Sequence, residues 1–319
     1  MASYNNNLNG TSGNDVLNGI SGNDTIWTAD GDDIAYGNEG SDTLTGFPGN
    51  DSLFGGAGDD TIYGDEGNDS MVGNDGDDSV WDGLGDDYLE GGNGNDTLDA
   101  HIGNDTLIGG SGNDLLMAGE DVSWEAGDWG PDRDVLEGGA GNDSLWGGTD
   151  SDYLSGGGDD DTLGGNSGND TIYGDEGADN VFGGVGEDLL FAGSNNDQLW
   201  GNEGNDSMSG ESGNDKLLGA NGNDVLTGGD GEDTLNGGSD SDIYILEENM
   251  GVDNLKGFQD GVDFLGLSGG LSFDELTFEK LGSSQTKIIK DGNILAIMNA
   301  TLPESIDESD FISRFDANS

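Results

Sequence analysis

The chain has 319 residues, with 68 acids against seven Lys and Arg, and a formal charge of −61. A surface this acidic repels nucleic acid and anionic lipid, and no apolar run approaches the ~20 residues of a membrane-crossing helix. Cysteine is absent and His101 is the only histidine, which excludes disulfide frameworks, thiol chemistry and most nucleophilic triads and zinc centres.

Met1 to Gly10 has neither a basic n-region nor an apolar h-region, so a Sec-type signal peptide is not expected there. Residues 1–9 read as a lead-in. An aspartate then recurs every nine residues. Asp15, Asp24, Asp33, Asp42, Asp51, Asp60, Asp69, Asp78, Asp87, Asp96, Asp105 and Asp114 form one unbroken series. Asp134, Asp143, Asp152, Asp161, Asp170, Asp179, Asp188, Asp197, Asp206, Asp215, Asp224, Asp233 and Asp242 form a second. Each sits in a version of Gly-Gly-x-Gly-(Asn/Asp)-Asp-x-U-x, with U a large aliphatic; Gly91 to Asp99 is a clean copy. A fixed short period means one supersecondary unit stacked many times. High charge and modest hydrophobicity oppose collapse, so periodic aliphatics on such a chain point to a fold that waits for a cation.

Within the nonapeptide, glycine at the first, second and fourth positions suits a tight, partly left-handed turn. Where the fourth position departs from glycine, the substitutes are Asp132, Asp150, Asp159, Asn195 and Asp240, the residue types that best tolerate positive φ. After the aspartate comes a short strand, x-U-x, whose U side chain points opposite to its neighbours. Leu17, Ile26, Leu44, Leu53, Ile62, Val80, Leu89, Leu98, Leu107 and Leu116 begin an aliphatic column that Leu136 to Leu235 continue. Turn, strand, turn, strand makes one coil, and the 25 repeats predict about 12 coils of an all-β, right-handed parallel β-roll. Aspartates 18 residues apart then meet on one edge. With backbone carbonyls they form an all-oxygen cage that suits calcium better than magnesium. The thin core cannot overcome carboxylate repulsion and ordering entropy alone, so calcium binding and folding are expected to be one event.

The repeats resemble the RTX (repeats-in-toxin) calcium-binding family over about residues 10–245. The resemblance implies a parallel β-roll, calcium between adjacent turns (about 20 ions in all), and export by a type I secretion system into the calcium-rich extracellular space.

Only Glu120 to Gly130 interrupts the period, an 11-residue addition carrying Trp124 and Trp129, either a contact loop or a tolerated insertion. The outward position after U differs between alternate repeats. Even-numbered repeats place Trp27, Trp81, Trp146 and Trp200 on one outer face, a stripe that fits a partner or sugar rings; aromatics are also simply good strand formers. Residues 246–319 are poorer in glycine and read as a small mixed cap that also holds the type I secretion signal region by resemblance to the carboxy-terminal module of cyanobacterial RTX proteins. Ser272 to Glu275 and Ser305 to Glu308 have the capping-box pattern of short helices. Asp291-Gly292 predicts a hairpin turn between Thr286 to Lys290 and Asn293 to Met298. Phe311, Ile312 and Phe315 supply apolar elements near the end.

An enzyme is the poorest reading of this composition. Two others fit: an extracellular calcium-folded structural component of a cell surface or matrix, and a calcium-dependent polysaccharide-binding module using the Trp27, Trp81, Trp146 and Trp200 face.

Overall fold

The computed structural model describes residues 5–119, 133–248, 250–299 and 305–313. The chain divides into two compact units, Met1–Ser167 and Gly168–Ser319. Each is built mainly from parallel β-strands in two sheets, with no α-helix among the described residues. The inserted segment around 120–130 and Phe315 lie outside the described residues.

In the first unit successive repeats alternate between the sheets. One sheet stacks Thr25–Trp27, Thr43–Thr45, Thr61–Tyr63, Ser79–Trp81, Thr97–Asp99 and Leu115–Met117 in parallel. The other stacks Ile34–Glu39, Ser52–Ala57, Ser70–Asp75, Tyr88–Asn93 and Thr106–Ser111. Paired residues are 18 apart, as in Ile26↔Leu44 and Leu89↔Leu107. The step becomes 29 at Leu107↔Leu136 and Leu116↔Leu145. Both sheets therefore resume in register after 11 added residues, which is how the stack absorbs the insertion.

Many strands are longer than the three residues that x-U-x predicts. Tyr88–Asn93 runs through Gly91 and Gly92, with Gly92 paired to Gly110, because the start of each turn is itself extended enough to join the ladder. The U residues form the core: Ile26, Leu44, Leu53, Ile62, Leu89, Leu98, Leu107 and Leu116 are fully buried. Ala35, Met71, Met208 and Tyr244 occupy the same column. Leu17, at the exposed start of the first unit, is only half-buried.

The turns explain the glycines. A Cβ on Gly103 (φ +145) would collide with the Gly85 carbonyl oxygen one coil away. Non-glycine fourth positions instead take ordinary left-handed values, 63° at Asp150 and 87° at Asn195. The second position is left-handed too, and Phe47 stands there with φ 68°. A bulky side chain in this region costs about 1 kcal/mol or more, and Phe47, 37% exposed, sets the packing of the rest of its side chain against that cost.

The second unit continues the pattern through Leu189–Ser194, Gln198–Glu203, Lys216–Asn221 and Thr234–Ser239. Parallel stacking then runs on past Ile245: Asp253–Lys256 pairs with Thr234–Ser239, and Phe264–Leu267 pairs with Ile243–Leu246. Phe311–Ser313 adds in parallel to Phe264–Leu267. On the other sheet Asn293–Asn299 adds in parallel to Asp253–Lys256 and turns back through Gln285–Lys290 to Leu276–Leu281. The expected hairpin is present, with Asp291 at φ 51° and Gly292 at φ 85°. Both expected helix starts are single 3₁₀ turns. Phe273–Glu275 opens with the Glu275 carboxylate accepting the Ser272 N–H at 3.2 Å. The second turn, Glu308–Asp310, begins two residues later than expected, because Asp307 rather than Ser305 is the N-cap. Its carboxylate accepts the Ser309 N–H while Asp310 accepts the Asp307 N–H, both at 2.8 Å. Phe311 packs against Phe273 and Phe278, with ring centroids 4.8 and 6.0 Å away.

Candidate metal centre: the aspartate ladders

The repeat aspartates stand where the turn meets the strand, directly beneath the core column. Two ladders result, one on each edge of each unit. In each rung given below the backbone N–H of one aspartate donates to Oδ1 of the aspartate one coil on. Asp24 to Asp42 is 2.6 Å, Asp60 to Asp78 2.7 Å, and Asp78 to Asp96 2.7 Å. Across the 29-residue step the bonds Asp105 to Asp134 and Asp114 to Asp143 keep 2.7 Å. In the second unit Asp170 to Asp188, Asp188 to Asp206 and Asp206 to Asp224 are 2.9 Å, and Asp179 to Asp197, Asp197 to Asp215 and Asp215 to Asp233 are 2.8 Å. A second, exposed ladder runs through the preceding residue, as where Asn113 N–H donates to Asn95 at 3.0 Å.

The other carboxylate oxygen carries the chemistry. Oδ2 of Asp33, Asp42, Asp51, Asp60, Asp69, Asp78, Asp87, Asp96 and Asp114 is buried and receives no hydrogen bond. The same holds for Asp143, Asp188, Asp206, Asp215, Asp224, Asp233 and Asp242. A buried carboxylate oxygen without a donor is costly, and a series of them at one repeat position is an arrangement that requires a positive partner. The first-position glycine frames that partner's space. A Cβ on Gly37 would collide with Asp42 Oδ2 and the Gly55 carbonyl oxygen, and one on Gly219 with Asp224 Oδ2 and the Gly237 carbonyl oxygen. Glycine thus leaves open a cradle lined by carboxylate and carbonyl oxygens alone. Such donors suit a hard cation of flexible geometry, and calcium fits them.

The electrostatics agree. Burial pushes the Asp60, Asp96, Asp143, Asp188, Asp215 and Asp224 carboxyls from 3.8 up to about 7. The N–H bond from the preceding rung opposes this, and the charges of ladder neighbours add to it. Asp51, Asp78 and Asp242 rise to about 6 for the same first cause.

The ends of the series differ. Asp15 is half-exposed and its Oδ2 accepts the Thr11 N–H; Asp24 Oδ2 accepts the Ile20 N–H at 2.9 Å. At the other end the ladders go on beyond Asp242: Asp233 N–H donates to Asp253 at 3.3 Å and Asp242 N–H to Asp263 at 3.1 Å. The nine-residue spacing does not reach these two residues, since the steps are 20 and 21. Their signal was an aspartate directly before an x-Leu pair, Asp253-Asn-Leu and Asp263-Phe-Leu. Asp82 was also missed. It takes the first position of its repeat, where glycine is usual, and lies 94% buried beside Asp69 and Asp87. Burial first, then the Asp87 and Asp69 charges, push its carboxyl up to about 10.

On the outer faces the aromatics stack along the coils. Tyr63 and Trp81 lie 5.2 Å apart and Phe182 and Trp200 4.5 Å apart. The other sheet carries Tyr36 on Phe54 at 5.1 Å and Tyr173 on Phe191 at 4.8 Å. Trp146 lies over Gly164, where a Cβ would meet its ring. Trp27 is 40% exposed, while Trp81, Trp146 and Trp200 are half-buried. His101 occupies a left-handed second position at φ 70°, as expected of a turn residue, with Asp99 3.7 Å away.

No curated protein matches the chain. Among solved structures, the AlgE6R3 subunit of the mannuronan C5-epimerase from Azotobacter vinelandii is similar, at 20% identity over 42% of this chain and 83% of its own, with a TM-score of 0.23. The model of the RTX calcium-binding nonapeptide repeat matches in overlapping windows that together span residues 2–116 and 130–244. With that match across most of its length, and with the parallel roll that its repeats build, the chain belongs to the RTX calcium-binding nonapeptide-repeat family.

Proposed function

We propose that the repeat aspartates from Asp15 to Asp242 hold about 20 calcium ions between successive turns, and that the chain folds as it binds them to act as an extracellular structural component of a cell surface or matrix. The observation that carries this reading is the row of buried, donorless Oδ2 atoms. Each would stand uncompensated in the folded chain without a cation, so the ion is part of the fold rather than an addition to it. Extracellular calcium supplies the ion, and the formal charge of −61 keeps the uncalcified chain extended and soluble. Export by a type I system follows from the same logic, since a chain that folds only outside crosses the envelope unfolded. Equilibrium dialysis against calcium counts the ions. Light scattering of the calcium-saturated protein at rising concentration tests the structural role: assemblies are expected, and a monomer at every concentration would remove that role while leaving the calcium sites intact.

The outer aromatic columns support a second reading, calcium-dependent polysaccharide binding, with Trp27 the most exposed of the four tryptophans named for it. Flat, stacked rings offer apolar faces to sugars. On this reading, replacing Trp81 and Trp146 together by Ala abolishes retardation in affinity electrophoresis through an acidic polysaccharide gel. Undiminished retardation in the double variant would rule out that face.

A further inference from the structure

Across the first unit the first position of each turn is small, since it borders the cradle just described. Ala100, Ala118 and the glycines keep the space open, and the hydroxyl of Thr28 is satisfied by the Gly46 carbonyl oxygen. Asp82 differs. Its Oδ1 accepts the Gly83 N–H at 2.8 Å, and its Oδ2 is buried without a donor. It projects back onto the preceding coil, where a Cβ on Gly64 would collide with both Asp82 Oδ1 and Asp69 Oδ2. Asp69 and Asp87 are joined by the ladder bond, 2.8 Å from Asp69 N to Asp87 Oδ1, and each has a buried Oδ2 without a donor. One carboxylate oxygen from each of Asp69, Asp82 and Asp87 lies within 4.8 Å of the other two, the one such cluster among the described residues. All three residues are at least 94% buried.

We propose that Asp69, Asp82 and Asp87 form a cation seat unlike the others in the roll: a three-carboxylate site that holds calcium more tightly than its two-carboxylate neighbours and prefers a trivalent cation of calcium's size. This deepens the reading of the ladders as calcium sites and rests on it. The argument is one of charge balance in a dry place. Two carboxylates neutralise one divalent ion, whereas a third adds a buried negative charge that either a proton or a higher positive charge on the ion must cancel. Affinity at oxygen-lined sites rises with the number of charged ligands.

The test uses the full chain, saturated with calcium and titrated with terbium. Trp81, next to Asp82 in sequence and stacked on Tyr63, sensitises the terbium emission. The wild type is expected to show a first equivalent of terbium taken up at a concentration roughly tenfold or more below that needed at the remaining sites. Asp82→Gly, which restores the residue usual at this position, and Asp82→Asn, which keeps the shape, are both expected to lose that first step while still folding in saturating calcium. The proposal is overturned if either variant keeps the step, or if the wild type fills uniformly. It is also overturned if equilibrium dialysis finds that Asp82→Gly gains a calcium ion, since Asp82 would then fill the seat rather than build it. Failure of the underlying reading looks different: neither terbium nor calcium is taken up by the wild type or the variants at any site.

Discussion

Calcium-free protein moved from about pH 7.5 to about pH 5 is expected to gain β-structure rather than lose it. The sign follows from the ladder carboxyls. Their folded-state values are raised from 3.8 to about 7 at Asp60, Asp96, Asp188 and Asp224, first by burial and then by neighbouring charge. A carboxyl raised on folding contributes stability that is fully present below its unfolded value and is lost as pH rises through its folded value. In the metal-free roll that window runs from 3.8 to about 7 at these residues. Protons then do part of what calcium does at neutral pH: they remove the buried charge. Circular dichroism and sedimentation in chelator at the two pH values measure the effect, and a chain that becomes more expanded at about pH 5 would contradict it. The same competition has a second consequence. Protons and calcium share the carboxylates, so the calcium concentration needed to fill the sites, as distinct from that needed to fold the chain, is expected to rise as pH falls below about 7.

The second large effect is expected from one atom in the middle of the first unit. Asp96 is 1% exposed; its Oδ1 accepts the Asp78 N–H at 2.7 Å, and its Oδ2 has no donor. Asp96→Asn keeps the shape and an acceptor for Asp78 but removes the charge that faces the cradle. Loss of one partner from a buried charge pair costs about 3 kcal/mol or more, so a marked loss of stability in saturating calcium is expected, with a higher calcium midpoint for folding. Asp65→Asn is the control. It removes the same formal charge from an exposed, left-handed turn position where Asn is equally at home, and a change within about 0.5 kcal/mol is expected. Because coils contact mainly their neighbours, the Asp96 lesion is also expected to broaden the unfolding transition. Equal effects from the two substitutions would mean that net charge, not the ladder, governs folding.

Much of this architecture is legible in the sequence because each nonapeptide assigns every side chain a fixed environment. The residue two after the aspartate is in the core at Ile26 and again at Leu235, both fully buried. The departures at Asp150, Asp159, Asn195 and Asp240 have the positive φ that their position demands. Asp291-Gly292 specifies its hairpin locally, and the hairpin forms. What stayed hidden lies where the period relaxes. Asp253 and Asp263 join the ladders through hydrogen bonds that tolerate two or three extra residues in the turn, and a strict spacing cannot see them. Ser305 and Asp307 both begin a cap-like pattern, and only the three-dimensional turn shows that the Asp307 carboxylate wins. Asp82 was hidden by the consensus itself: attention to the sixth position of the repeat obscures a carboxylate at the first. The aromatic face was legible as a pattern, but the stacking of Trp81 on Tyr63 and Trp200 on Phe182, which covers part of each ring, depends on neighbours one coil away.

The central claim is that calcium and the fold are one equilibrium. Sedimentation velocity of the full chain at neutral pH, in chelator, in millimolar calcium and in millimolar magnesium, tests it most directly. The expected result is an expanded chain in chelator and in magnesium and a compact particle in calcium alone, because the all-oxygen cradles match the larger ion's flexible geometry. A particle equally compact in chelator, or a collapse produced as well by magnesium, would contradict it.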